Sequence, residues 1–406
     1  MTRSRYIRLI MILGSLAALG PFSVDMYLPG FPAMAKDLHT DAASVGLSLA
    51  SFFVGISAGQ LLYGPLLDRF GRKPPLILGL VLYVISSIAC AYSPSVESLI
   101  GFRFVQAIGS CAASVAAVAM VRDLFPVEDN AKVFSMLMLV IALSPLVAPT
   151  AGGYVTAAFS WKIVFWILAI MAAVLLAAVF FGLPESRPAN LSFSLKPRFI
   201  IGNFIEVIRN PQFYTYAVCG SFSFAGLLTY VSGSPLLFME IFGVENKVYG
   251  WIFAFLSVGL VGASQINTLL LRKYTSPQLI LWALVAALMI ALVFVGGTAL
   301  HVFGLYSTIT CIFLFLCCVG IVLPNASALA MAPFSENAGS ASSLMGAMQM
   351  GLGALSTSLL SVFADHTALP LTLVMAATAS FAAISLGVGR TVLHRDARLE
   401  NNINTV

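Results

Sequence analysis

Twelve stretches of roughly twenty residues, almost free of charge, follow one another along the whole chain. They fall near 7–28, 43–66, 74–93, 97–121, 132–156, 161–183, 212–239, 247–270, 277–299, 301–326, 338–363 and 367–391. Each is as long as a helix must be to cross the hydrocarbon of a bilayer. Lipid offers no hydrogen bonds to a peptide group, so an apolar run of this length satisfies its backbone only by becoming helix. The fold class expected is therefore an all-α polytopic membrane protein with twelve transmembrane helices. Composition agrees, with 60% hydrophobic and 9% charged residues, where soluble domains carry about 25% charged residues. The first run follows Arg3, Arg5 and Arg8 and ends at Asp25 rather than at an A-x-A site. It reads as a retained first span, not a cleaved leader.

The charges between the runs set the orientation. With the N-terminus inside, cytoplasmic segments carry seventeen Lys and Arg, against Lys36, Lys162 and Lys247 on the other side. Cationic loops stay in the cytoplasm, so both termini are expected there. The longest polar connection, 184–211, contains Pro184, Pro188, Pro197 and Pro211. It predicts two six-helix halves, 1–183 and 212–406, the second ending in a short cytoplasmic tail. Arg272-Lys273 between the eighth and ninth spans is a weak echo of Arg72-Lys73 between the second and third. A duplicated pair of halves with a site at mid-membrane is a transporter architecture.

Ionisable residues inside spans are costly, about 2.5–3.5 kcal/mol each on insertion scales, and so are informative. Asp25 lies near the outer end of the first span and Arg103 about six residues, roughly 9 Å, into the fourth. The two are expected at similar depth. One reading is a structural ion pair locking the two helices together. The other is a proton site, because burial and a neighbouring guanidinium act in opposite senses on a carboxyl's proton affinity. Amides and aromatics in the middle of spans are the candidates for a substrate cavity: Tyr27, Gln60, Gln106, Phe224, Tyr230, Asn325 and Gln349. Each can equally be an interhelical hydrogen bond or packing residue, while an apolar pocket with a few amides suits an amphipathic small molecule. Ser232-Gly233-Ser234-Pro235 predicts a break in the seventh span.

Four motifs add a family. The loop G-P-L-L-D-R-F-G-R-K-P-P-L, Gly64 to Leu76, resembles the loop signature of the major facilitator superfamily. Arg103-x-x-Gln106 with Gly109 is similar to the fourth-helix motif of its proton-coupled drug exporters, with Ala107 in place of a glycine. Ala148-Pro149-Thr150-Ala151-Gly152-Gly153 resembles their antiporter motif, with Ala148 for its first glycine. S-V-D-M-Y-L-P, Ser23 to Pro29, resembles the first helix of the bicyclomycin/chloramphenicol-resistance (Bcr/CflA) branch. The resemblance implies the major facilitator fold and a multidrug antiporter of the bacterial inner membrane. It implies proton coupling through Asp25 and Arg103, and close helix packing at Pro149, Gly152 and Gly153. It also implies a conformational latch of Asp68, Arg72 and Asp123. The alternative left open is proton-coupled export of a metabolite such as an amino acid or purine.

Other classes find little support. No Lys follows a Gly, so there is no Walker A loop, and no H-E-x-x-H or other catalytic constellation occurs. The protein is not expected to be an enzyme. His39, His301, His366 and His394 lie near span ends or in loops, so neither a metal site nor a cofactor is expected. The net charge of +5 is spread over short loops and is no nucleic-acid footprint. The six cysteines lie in or near apolar runs and read as packing residues. The partners expected are a small-molecule substrate, protons and the lipid bilayer, and a monomer is expected.

Overall fold

A computed structural model describes residues 3–190, 197–334, 338–365 and 367–403. Among them the regular structure is entirely helical. Twelve helices are of spanning length: α1 (Arg3–Asp25), α3 (Ala42–Phe70), α4 (Lys73–Ala91), α5 (Val96–Leu124), α6 (Val127–Ala158), α7 (Lys162–Gly182), α9 (Pro211–Pro235), α10 (Asn246–Leu270), α11 (Ser276–Ala299), α12 (Leu305–Met331), α13 (Ala338–Val362) and α14 (Leu369–Ile403). Two shorter helices complete the set, α2 (Phe31–Asp37) and α8 (Pro197–Arg209). Among the described residues eleven segments are long and apolar enough to cross a membrane. α13 is not one of them, because serines, glycines and a threonine dilute its apolar residues.

The chain divides into two compact units. The first comprises Met1–Lys196 with Val231–Phe255, the second Pro197–Tyr230 with Leu256–Val406. In the first, α3 and α4 pack along α5, α4 also along α7, and α1 against α5 and α6. The α3–α5 approach is close because Gly55 faces Ala107: a Cβ on Gly55 would lie 2.6 Å from the Ala107 methyl. Small residues at such crossings replace the hydrophobic driving force that lipid removes. In the second unit, α11 packs against α12 and α14, and α13 against α14 and α8.

Three local features depart from the pattern expected of the sequence. The break at Ser232–Pro235 is absent: α9 runs through it, and the irregularity follows as a π-helical stretch, Leu236–Ile241. Pro235 ends the α-helix without opening the chain, since Phe242 N–H reaches the Leu237 carbonyl five residues back at 3.2 Å. The polar connection contains the helix α8, and the C-terminal tail continues α14 to Ile403.

Candidate functional site

The first helix stops where its sequence requires. Pro29 has no N–H, and in a continued helix its ring would collide with the carbonyl of Asp25. The last regular bond runs from Met26 N–H to Phe22 O, 3.1 Å. A turn of 3-10 helix, Leu28–Gly30, then leads into α2. Asp25 sits at this break, 5% exposed. Among the described residues its carboxyl has no hydrogen bond or ion pair from a side chain, though it lies within electrostatic range of Tyr249.

α6 brings its glycines to the same break. A Cβ on Gly152 would overlap the Met26 carbonyl oxygen, so only glycine lets the helix come this close. Gly153 faces the start of α10, where a Cβ would lie 2.5 Å from the Asn246 carbonyl oxygen. Asn246 in turn donates from Nδ2 to Pro29 O at 3.1 Å and to Thr156 Oγ1 at 3.3 Å. Thr150 Oγ1 donates to Gly250 O at 3.3 Å, and a Cβ on Gly250 would meet Pro149 O at 3.1 Å. The break in α1, the Pro149–Gly153 segment and the first turns of α10 therefore form one tight junction beside Asp25, with the Lys247 ammonium over the Tyr154 ring at its edge.

Arg103 is fully buried on α5, but not against Asp25. Its Nη2 donates to Ser23 O at 3.0 Å and its Nη1 to Gln106 Oε1 at 2.6 Å. The guanidinium lies 4.2 Å from the ring centroids of Tyr27 and of Phe52, and 5.8 Å from that of Phe165. Desolvated cation–π contacts contribute ~2 kcal/mol each and stand in for a carboxylate. The Arg103 fork reaches the backbone two residues before Asp25, and not the carboxyl it was expected to neutralise. Gln106 passes the chain on, donating to Ser87 Oγ at 2.7 Å. Tyr83 OH meets Ser23 Oγ at 2.5 Å, and Tyr27 OH meets Ser48 Oγ at 3.2 Å.

At the other end of α3 and α5 lies the charged cluster. α3 ends at Gly71, φ +84°, a backbone region glycine enters without strain. Arg72, only 7% exposed, then reaches Asp68 through Nη1 at 2.9 Å and Asp123 through Nε at 2.8 Å. Burial works against its charge, but hydrogen bonds and charges from Asp123 and Asp68 outweigh it and hold the Arg72 pKa above its ordinary value. The three residues expected together are together.

Glu185, Ser186 and Arg187 complete this cluster and were not singled out from the sequence. A helix start leaves its first N–H groups without partners. In α4 two of those positions are Pro74 and Pro75, which have none to leave. The remaining two, Arg72 N–H and Lys73 N–H, donate to Glu185 Oε1 and Oε2 at 2.8 and 3.1 Å. Ser186 Oγ donates to Asp123 at 3.0 Å, and Arg187 Nη1 lies 3.5 Å from Asp68. Lys73 Nζ caps the end of α7 through Phe180 O at 2.8 Å. The available signal was an acid directly after one span, with a proline-rich start to another.

The candidate cavity residues have different fates. Tyr27 and Gln106 belong to the Arg103 cluster. Asn325 is buried in the second unit and donates to Asn267 Oδ1 at 2.6 Å, an interhelical amide pair. Tyr230 is buried, while Gln60, Phe224 and Gln349 are half-buried on their helices. No cluster of His, Cys, Asp or Glu suited to a metal occurs among the described residues.

Comparison with known proteins gives a consistent result. The family model of the Major Facilitator Superfamily matches residues 13–358. The bicyclomycin resistance protein homolog of Haemophilus influenzae is 33% identical over 373 residues, 91% of this chain and 92% of the relative. The multidrug resistance protein MdtL of Escherichia coli is 31% identical over 338 residues, 83% of this chain and 84% of its own. Among solved structures, a bacterial homologue of the human lysosomal transporter Spinster superposes with a TM-score of 0.74 at 15% identity. It covers 97% of this chain and 98% of that one, a likeness of fold.

Proposed function

Because this chain belongs to the major facilitator superfamily, we propose that it exports drug-like small molecules, of the chloramphenicol or bicyclomycin kind, in exchange for protons. It does so as a monomer in a bacterial inner membrane, with both termini in the cytoplasm and its two halves alternating access to a cavity. Relatives named for drug resistance, 31–33% identical over most of the chain, support the substrate class.

The observation that carries the coupling is the break in α1. Asp25 is buried there and, among the described residues, has no side-chain hydrogen bond or ion pair, beside a junction that tolerates no side chain at Gly152. A carboxyl without a fixed partner is free to take up a proton or release it as access changes. The charge it gains or loses is felt by α6, whose Gly152 lies against the Met26 carbonyl, and by α10, whose Asn246 side chain holds the Pro29 carbonyl. Arg103 acts as a positioning residue: its bond to Ser23 O holds the last turn of α1 whatever the protonation of Asp25. Asp68, Arg72 and Asp123 serve as a latch that is made in one state of the cycle and released in the other. A proton moved through 100 mV supplies about 2.3 kcal/mol toward uphill export.

The test is flux in proteoliposomes under an imposed pH gradient. Wild type should move chloramphenicol- or bicyclomycin-type compounds only with the gradient, and Asp25→Asn should not respond to it. Gradient-driven flux of purines or amino acids but of no drug would transfer the same mechanism to a metabolite. Equal flux by wild type and Asp25→Asn would remove the coupling role.

A further inference from the structure

Behind the groups that hold Arg103 stand three hydroxyls that none of the sequence motifs contains. Ser48 on α3 and Tyr83 and Ser87 on α4 are all fully buried. A serine hydroxyl has one proton to give and two lone pairs to receive. In a helix the carbonyl three or four residues back readily takes that proton. Ser48 Oγ donates to Val45 O at 2.7 Å, and Ser87 Oγ to Tyr83 O at 2.7 Å. Ser23, whose carbonyl Arg103 holds, behaves alike, its Oγ donating to Leu19 O at 2.6 Å. Toward any other partner these three oxygens can only accept.

That restriction sets the direction of every bond around them. Gln106 must turn its Nε2 to Ser87 Oγ, 2.7 Å away, which leaves its Oε1 for Arg103 Nη1. Without an acceptor at Ser87 the amide could sit the other way round, with its own N–H groups against the guanidinium. Tyr27 OH must donate to Ser48 Oγ at 3.2 Å, and so holds the ring whose centroid lies 4.2 Å from the guanidinium. Tyr83 OH must donate to Ser23 Oγ at 2.5 Å, which pins to α4 the residue that takes Arg103 Nη2.

We propose that Ser48, Tyr83 and Ser87 are positioning residues for Arg103: they orient Tyr27, Ser23 and Gln106, and through them the last turn of α1, which carries Asp25. α3 and α4 thereby enter the control of the α1 break. The orientation stands on hydrogen-bond geometry, while its effect on transport rests on the proton role proposed for Asp25.

Two measurements keep these apart. The first needs no transport. Ser87 and Arg103 share no hydrogen bond among the described residues, so a packing role for Ser87 predicts that its loss and the loss of the Arg103 fork add. Thermal midpoints in detergent would be taken for Ser87→Ala, Arg103→Lys and the pair, lysine keeping the charge but not the fork. The pair should fall by less than the sum of the two single falls, and an additive pair would overturn the proposal. The second is gradient-driven drug flux beside drug affinity in detergent, for Ser48→Ala, Tyr83→Phe and Ser87→Ala. Each should lower flux about fivefold, the effect of one hydrogen bond, and leave affinity within about twofold. Wild-type flux in all three would overturn the proposal, as would flux and affinity falling together, the mark of a merely structural role. If wild type itself moves no drug, the reading of Asp25 fails and the midpoint cycle still decides the orientation.

Discussion

The two ends of the first unit hold their helices by opposite means. At the Asp25 end α6 and α10 are held by neutral, close contacts, glycine against backbone at Gly152 and Gly153 and an amide, Asn246, on the Pro29 carbonyl, while the one buried cation described there, Arg103, meets a carbonyl, an amide and aromatic faces rather than a carboxylate. At the Arg72 end they are ionic and partly wet, with Asp68 38% exposed and Glu185 open to solvent. The difference follows from what each end can tolerate. The buried cation at the Asp25 end is held by the Ser23 carbonyl, by Gln106 and by aromatic faces, and not by the Asp25 carboxyl. At the charged end, water and salt lower the cost of parting ions, which is what the proposed latch requires.

The contrast breaks most sharply at Gly152. Gly152→Ala places a methyl on the Met26 carbonyl and should cost about 3 kcal/mol, the upper range for overpacking. A lowered thermal midpoint in detergent and lost efflux would show it, and a variant with wild-type midpoint and flux would refute the close-contact account. The ionic end should yield a smaller effect. Arg72→Ala should cost about 2 kcal/mol, and a double-mutant cycle with Asp123→Asn should recover a coupling of about 1 kcal/mol or more. Additive effects would mean that the pair is not a unit. Smaller still, and sharpest as a contrast, is the response to salt. Asn246→Ala and Glu185→Gln should each cost about 1 kcal/mol. Raising ionic strength should shrink only the Glu185 effect, since exposed charges are screened and neutral amide bonds are not. The comparison fails if both effects respond alike.

Much of this was legible before any coordinates. Apolar length alone marked the spans, because lipid permits nothing but helix there. The family resemblance of the charged loop after the second span pointed to Asp68, Arg72 and Asp123, and the rarity of charge inside spans singled out Asp25 and Arg103. What composition does not carry is partnership. Arg103 was expected to meet a carboxylate at its own depth, yet a guanidinium is satisfied equally by a carbonyl, an amide and aromatic faces, and it found Ser23, Gln106, Tyr27 and Phe52. Glu185 escaped notice because its partners are the backbone N–H groups of Arg72 and Lys73, far off in sequence and silent as to side-chain type. The irregular turn after Pro235 moved past the proline because a π-turn costs less than unpaired carbonyls in an apolar setting.

The central claim is that Asp25, buried at the break in α1, carries the exchanged proton. Its most direct test is proton release from purified protein in weakly buffered detergent on adding a transported drug, wild type beside Asp25→Asn. Wild type should release protons on drug binding, and Asp25→Asn should bind the same drug and release none. Equal release from both would place the exchanged proton on another group and contradict the account.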